Sequence, residues 1–191
     1  MVNIDPQKTG LVIIDLQKGI ASMGNNLSPY SADEVIGKAS ELADACRKNN
    51  IPVFLVHVNP AKETRLSPPA DSPMFSSGNE LPHDWAEFVA DLGKQAGDVI
   101  ITKHHWGAFY GTDLDMQLRR RGIDTIILCG IATSIGVEST ARFAYEYGYK
   151  QVFAEDAMTA MSRDEHEMSV ERILKKIGNV RKTHEIIHSL R

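Results

Sequence analysis

Apolar positions along the chain follow two alternating rhythms. Short, unbroken, largely β-branched runs occur at Leu11–Ile14, Pro52–Val56, Val99–Thr102, Thr125–Leu128 and Gln151–Ala154. Each is too short for a helix and apolar on both faces, so each predicts a strand buried on both sides. Between them the spacing changes to the helical period. Val35, Ile36, Ala39, Leu42, Ala43 and Cys46 line one face of a segment from Ala32 to Lys48, which Asn49-Asn50 stops. The same period predicts helices over Thr112–Arg121 and around His166–Lys176, and one over Ser134–Tyr147 with Val137, Ala141 and Ala144 inward and Gly148 at its end. A short helix at Trp85–Leu92, a last strand near Val180 and a closing helical turn at Glu185–Leu190 complete the series. Strands alternating with helices predict an α/β fold: a three-layer, open, doubly wound, mostly parallel sheet of about six strands with helices on both faces. No repeat, low-complexity tract or linker divides the chain, and 191 residues suit a single domain over 1–191.

One segment has no rhythm. From Asn59 to His83 the chain is rich in proline, serine and charge. A loop this long in a compact domain serves a site or an oligomer contact, and Arg65, within the 60–78 stretch, is a candidate contact for a substrate carboxylate. Composition then removes several classes of function. A net charge of −4 gives no electrostatic footprint for nucleic acid. The basic runs Arg119-Arg120-Arg121 and Lys175-Lys176 fall near helix ends, where positive charge suits the helix dipole. No apolar run approaches the ~18–20 residues that span a bilayer, and the polar start Met1–Thr9 lacks the pattern of a signal peptide. Two cysteines, Cys46 and Cys129, are too few for a disulfide framework. The expectation is a cytoplasmic protein acting on a small molecule, without nucleic-acid or membrane partners.

In doubly wound sheets, ligands bind beyond the carboxyl ends of the strands. Asp15 ends the first strand, Lys103 follows the third, and Gly130 to Gly136 follow the fourth. Taken singly, Asp15 reads sooner as a cap or loop anchor than as a catalytic group, Lys103 sooner as a solvated lysine, and the glycines as a tight turn. Taken together, a carboxylate and a lysine aimed at a helix N-terminus form a charge constellation suited to catalysis. Trp106, Phe109 and Tyr110 follow Lys103 and are read either as core or as the wall of a pocket. His104 and His105 are adjacent on extended chain, so they point apart and do not chelate one ion. No other spacing predicts a metal site, and no glycine-rich dinucleotide fingerprint follows the first strand.

Three stretches in order carry a resemblance across nearly the whole chain: Leu11-Val-Ile-Ile-Asp-Leu-Gln17, Thr102-Lys-His-His-Trp-Gly-Ala-Phe109, and Leu128-Cys-Gly-Ile-Ala-Thr-Ser-Ile-Gly-Val-Glu-Ser-Thr-Ala141. They resemble the isochorismatase-like, or cysteine hydrolase, superfamily. That resemblance implies a three-layer α/β fold, no cofactor, and homo-oligomers such as dimers or tetramers. It makes Asp15 and Lys103 two members of an Asp-Lys-Cys triad whose third position falls on Gly136. It also implies a cis peptide between Ile131 and Ala132, with the amides of Ala132 and Gly136 aimed at an oxyanion. Ile131, Gln17, Trp106, Phe109 and Arg65 join the expected substrate-binding set. The zinc-binding residues of nicotinamidases have no counterpart beyond His57 near that region.

The glycine bars the thioester chemistry of nicotinamidases and related amidases. Cys129 does not replace the thiol, since it lies before the turn at the end of a buried strand. True isochorismatases resemble this chain in carrying glycine there, and hydrolyse a vinyl ether by protonating its methylene carbon. That step needs a buried, protonated carboxyl, for which Asp15 is the candidate. The chain departs from them in having His104-His105-Trp106 after Lys103 and Ala132 in place of an aromatic residue. Two other readings stand beside acid-catalysed vinyl-ether hydrolysis: an amidase-type hydrolase using an activated water, and a non-catalytic small-molecule-binding homologue.

Overall fold

The computed structural model describes residues 4–23, 26–59, 69–73 and 81–190. Arg65 and most of the 60–78 stretch lie outside the described residues. Six strands form one sheet: β1 (Thr9–Ile14), β2 (Val53–Val58), β3 (Val99–Lys103), β4 (Thr125–Ile131), β5 (Lys150–Thr159) and β6 (Asn179–Arg181). They lie in the order β3-β2-β1-β4-β5-β6, and every pairing is parallel. The chain winds outward from β1 in one direction and from β4 in the other. That reversal opens a crevice at the carboxyl ends of β1 and β4, where such sheets hold their ligands.

The helices are α1 (Lys18–Ala21), α2 (Ala32–Lys48), α3 (Leu114–Arg120), α4 (Glu138–Glu146), α5 (Arg163–Met168), α6 (Lys175–Ile177) and α7 (Thr183–Ser189). The Ser31 hydroxyl takes the Glu34 N–H and the Glu34 carboxylate takes the Ser31 N–H, so both ends of a capping box start α2. Its buried stripe of Val35, Ile36, Ala39, Leu42, Ala43 and Cys46 covers one face of the sheet together with α7. Arg47 ties its last turn to Asp98, just before β3, through two nitrogens at 3.1 and 2.7 Å. Right-handed crossovers place α4, α5 and α6 on the opposite face, where α4 packs on β5 and α6. β1 is buried along its whole length, as a central strand covered on both faces must be.

Several elements differ from the sequence expectation. Trp85–Leu92 is not a helix. Phe88 bridges Gln17 in extended conformation, the Val89 N–H goes to Leu16 O at 3.2 Å, and only Ala90–Leu92 makes a tight 3₁₀ turn. The helix expected from His166 begins three residues earlier, at Arg163, because the Ser162 hydroxyl caps it on the Glu165 N–H. The helix expected from Thr112 begins at Leu114, since the Thr112 hydroxyl bonds back to Ala108 O and accepts the Leu114 N–H. β5 runs on past Ala154 to Thr159, through an irregularity that carries Glu155 and Asp156.

Gly19 shows how closely the segment beyond β1 is packed. A Cβ there would lie 2.1–2.2 Å from Nε1, Cδ1 and Cε2 of the Trp85 indole. The ring is itself buried and has little room to retreat. Gly19→Ala is therefore expected to destabilise by roughly 1–3 kcal/mol through overpacking, lowering the melting temperature and altering tryptophan fluorescence. Wild-type values of both would mean that the 82–88 segment gives way freely.

Candidate active site

Asp15 is the first residue past β1, and its backbone has φ 54°, a left-handed conformation that few non-glycine residues adopt. Its N–H is held by Val56 O at 2.9 Å and its carbonyl takes the Gln17 N–H at 2.8 Å, so the chain turns sharply over the end of β2. The turn aims a buried carboxyl at the crevice. Lys103 ends β3, two strands away, and crosses behind β2 to reach it: Nζ lies 2.8 Å from Asp15 Oδ2. The same ammonium donates to the carbonyls of His105, at 3.1 Å, and Trp106, at 2.9 Å. At 2% exposure, Lys103 is a buried cation with three oxygen acceptors, as burial of a charge requires.

The third component comes from β4. Gly130, with φ 121°, and a cis peptide between Ile131 and Ala132 turn the chain into a π-helical turn at Thr133–Val137, which continues as α4. The Ala132 carbonyl takes the amides of Ile135 and Val137, both at 3.1 Å. The Gly136 N–H thus lies in the first turn, where a helix offers no acceptor of its own. A Cβ on Gly136 would lie 2.9 Å from Ile14 Cγ2 and 3.1 Å from Asp15 Oδ2. A side chain at 136 would therefore project at the Asp15 carboxyl, and glycine leaves that space clear.

Electrostatics at Asp15 are set by burial first. Desolvation pushes its carboxyl above the usual carboxylate range, and wins against the charge and hydrogen bond of Lys103 and the smaller influences of His57 and the Val58 N–H. The Val58 N–H is itself committed to Gln17 Oε1, at 2.8 Å. Asp15 Oδ1 is buried and has no hydrogen-bond partner among the described residues. The two carboxyl oxygens therefore differ: Oδ2 faces an ammonium, and Oδ1 has no hydrogen bond among the described residues.

The remaining expected residues fall in varied places. Gln17 is fully buried, its amide nitrogen donating to Val58 O and Trp85 O at 3.1 and 3.2 Å while its oxygen takes the Val58 N–H. It pins the 82–88 segment to β2, and both protons of its amide nitrogen are committed to backbone carbonyls. Phe109 is buried against Tyr147 and Tyr149, with centroids at 5.4 and 5.7 Å, and belongs to the packing of α4. Trp106 presents an indole that is 56% exposed, while its carbonyl holds Lys103. Ile131 and Ala132 are buried at the turn itself. Cys129 is buried within β4, and burial raises its thiol far above ordinary values; burial also pushes Cys46 up to about 12. Neither thiol is available as a thiolate near neutral pH. Iodoacetamide is expected to leave native protein unlabelled, and labelling of Cys129 before unfolding would contradict this burial. Among the described residues, no three His, Cys, Asp or Glu side chains gather as a cation site requires, and no helix is long and apolar enough to cross a membrane.

Sequence reasoning missed a set of polar side chains behind the turn. Thr133, His166 and Glu155 come together from the Thr133–Val137 turn, α5 and β5. The acidic pair Glu155-Asp156, interrupting an otherwise apolar strand, was the available signal.

Comparison with known proteins bears on the whole arrangement. The family model described as Isochorismatase domain matches residues 9–185. The chain is 50% identical over 193 residues to the isochorismatase family protein YwoC of Bacillus subtilis, covering 100% of this chain and 98% of that one. It is 47% identical over 192 residues to the isochorismatase family protein YecD of Escherichia coli O157:H7, covering 100% of each. The solved structure of an isochorismatase family protein from Burkholderia thailandensis superposes with a TM-score of 0.92 at 43% identity, covering 98% of this chain and 97% of that one. The match takes in every strand that positions Asp15, Lys103 and Gly136. The chain belongs to the isochorismatase family and is a hydrolase.

Proposed function

We propose that the protein hydrolyses the vinyl ether of a small enolpyruvyl carboxylate, with Asp15 as the general acid and without a nucleophilic side chain. The observation that carries this reading is the asymmetry of Asp15: Oδ2 lies against Lys103, while Oδ1 is buried without a hydrogen-bond partner among the described residues. A carboxylate oxygen buried in that state is costly, whereas a carboxylic acid bearing its proton on Oδ1 is a poised donor. The Oδ1 proton passes to the terminal methylene carbon, and the C=C electron pair forms the new C–H bond. The resulting oxocarbenium ion takes water at the ether carbon. Loss of the water proton to Asp15 restores the acid, and the hemiketal collapses to pyruvate and an alcohol.

Lys103 supports this chemistry through a difference between states. When Asp15 gives up its proton, a full carboxylate is left 2.8 Å from the ammonium. That contact is stronger in the transition state than in the resting acid, which is what lowers a barrier. Gly136 leaves space for substrate or water beside Oδ2 while keeping its N–H in the turn. The exposed Trp106 indole is proposed as an apolar contact for substrate, and Arg65 as the contact for the substrate carboxylate.

Pyruvate release from isochorismate, used as a model enolpyruvyl ether, tests the reading. Steady release that falls as pH rises through the elevated Asp15 range is expected. No pyruvate from isochorismate or simpler enolpyruvyl ethers overturns it. Ammonia release from amides would then favour water-activated amide hydrolysis, and turnover of neither class would favour a binding role.

A further inference from the structure

The Thr133–Val137 turn that presents Gly136 to Asp15 is held from behind by side chains distant in sequence. Thr133 Oγ1 lies 2.9 Å from His166 Nδ1, and both residues are buried. His166 Nε2 lies 3.2 Å from Glu155 Oε1. Glu155 also receives the Tyr30 hydroxyl, at 3.1 and 3.2 Å to its two oxygens, and the Lys182 ammonium, which donates in addition to Tyr30 at 2.8 Å. Residues 154–157 of β5 stand opposite Cys129 alone, because the pairing passes from Leu128 with Phe153 directly to Gly130 with Met158. That irregularity delivers Glu155 to His166, as bulges beside sites re-aim side chains.

The direction of the chain of bonds follows from its far end. Burial alone would raise the Glu155 carboxyl, but the bonds from His166, Lys182 and Tyr30 and the charge of Lys182 hold it down at about 2. Glu155 is therefore an acceptor only, so His166 Nε2 must carry a proton toward it. In a neutral imidazole Nδ1 is then the acceptor, and the Thr133 hydroxyl donates. A second tie acts at the other end of the turn. The Thr140 hydroxyl donates to Gly136 O at 2.7 Å and accepts the Ala108 N–H at 3.0 Å, so Gly136 is linked to the segment that follows Lys103.

A hydroxyl, an imidazole and a carboxylate in sequence are also the parts of an activated hydroxyl nucleophile. Thr133 has no exposed surface, so no substrate reaches its oxygen. We infer that Thr133, His166 and Glu155 form a buried relay that fixes the Gly136 turn against Asp15, with His166 as its positioning residue and Lys182 with Tyr30 as its outer clamp. The inference rests on Asp15 being the working group of the site. The relay keeps the turn pressed on the Asp15 carboxyl and water away from it, which is the burial that raises that carboxyl above its ordinary range.

The test reads Asp15 in the full-length protein without substrate, by carbon NMR of its side-chain carboxyl against pH. Failure of vinyl-ether hydrolysis therefore leaves this measurement intact. Thr133→Val removes the donor, and His166→Gln removes the acceptor while keeping a donor for Glu155. Both are expected to lower the Asp15 midpoint by about one pH unit as water enters. Thr133→Ser restores the hydroxyl, and His166→Asn keeps an acceptor at the Nδ1 position, so both are expected to stay close to wild type. An unmoved midpoint in Thr133→Val and His166→Gln, with near-UV circular dichroism intact, overturns the inference, as does equal movement in all four. If either of the first two fails to fold, Lys182→Met at the partly exposed outer end decides. A smaller shift in the same direction supports the relay, and none overturns it.

Discussion

Asp15→Asn is expected to reduce enolpyruvyl ether hydrolysis by about 10²–10⁴-fold, the usual contribution of a positioned general acid, and to do so without unfolding the protein. The amide matches the neutral acid in shape and keeps an oxygen for Lys103, but has no proton of useful acidity. Its effect on stability is equally informative. If Asp15 rests as the acid at neutral pH, asparagine replaces like with like, and the melting temperature moves only slightly. If the pair rests ionised, removing one partner strands the buried Lys103 ammonium at a cost of roughly 3–5 kcal/mol, a fall on the order of 10 °C for a domain of this size. Burial raises the carboxyl above its ordinary range despite Lys103, and the size of the fall reports which state the pair holds at neutral pH. The sign of the linked pH dependence follows. Between the ordinary carboxyl value of 3.8 and the raised native one, the folded state binds more protons than the unfolded chain. Stability from this group is thus fully present below 3.8 and lost as pH rises through the native value. Asp15→Asn should remove that slope and the matching fall in activity together. Full turnover by the variant would end the acid assignment.

Much of this site could be read at the level of strand ends. The run Leu11–Ile14 stops at an aspartate, Val99–Thr102 stops before a lysine, and the glycines after Leu128 mark a sharp turn. Chemistry at the carboxyl edge of a parallel sheet follows from topology alone. The reach of Lys103 across β2 was less legible, since it depends on a side chain long enough to span the width of one strand. Gln17 has a structural part that the sequence does not show. Beside a catalytic carboxyl a polar residue suggests ligand contact, yet its amide satisfies backbone groups of β2 and the 82–88 segment that no single stretch of sequence reveals. Phe109 behaves likewise, its partners Tyr147 and Tyr149 lying beyond α4. The extension of β5 was hidden because Glu155 and Asp156 break the apolar run, and their carboxylates find partners in His166 and Thr183 only after folding. Periodicity reports which face is buried; it does not report which buried polar groups meet.

Gly130→Ala should have the largest effect on the fold of any single methyl addition considered. Gly130 pairs with Ile14 at the end of the β1–β4 ladder and has φ 121°, a conformation that side chains rarely adopt. A Cβ would lie 2.0 Å from Ile14 O, 2.7 Å from Ile14 N and 2.8 Å from Ile14 C. These are backbone atoms of a central buried strand, so no rotamer change relieves the overlap. Either β4 parts from β1 at its carboxyl end or the turn into Ala132 is rebuilt, and the expected cost is about 4–5 kcal/mol or more. Ile14 precedes Asp15, so the displacement also falls directly on the acid. Gly136→Ala is the informative contrast. Its Cβ meets the Ile14 methyl at 2.9 Å and the Asp15 carboxyl at 3.1 Å, side-chain atoms that can shift by a few tenths of an ångström. It should fold, while the altered placement of the carboxyl lowers turnover by about 10-fold or more. Thermal melts and turnover measured on both variants separate the two roles. Gly130 admits the turn and Gly136 keeps the space beside Asp15 clear, so loss of stability should belong to the first and loss of activity in a stable protein to the second. A Gly130→Ala protein that melts like wild type would show that the β1–β4 edge can open without disturbing the core, and would remove the argument for glycine at the head of the turn.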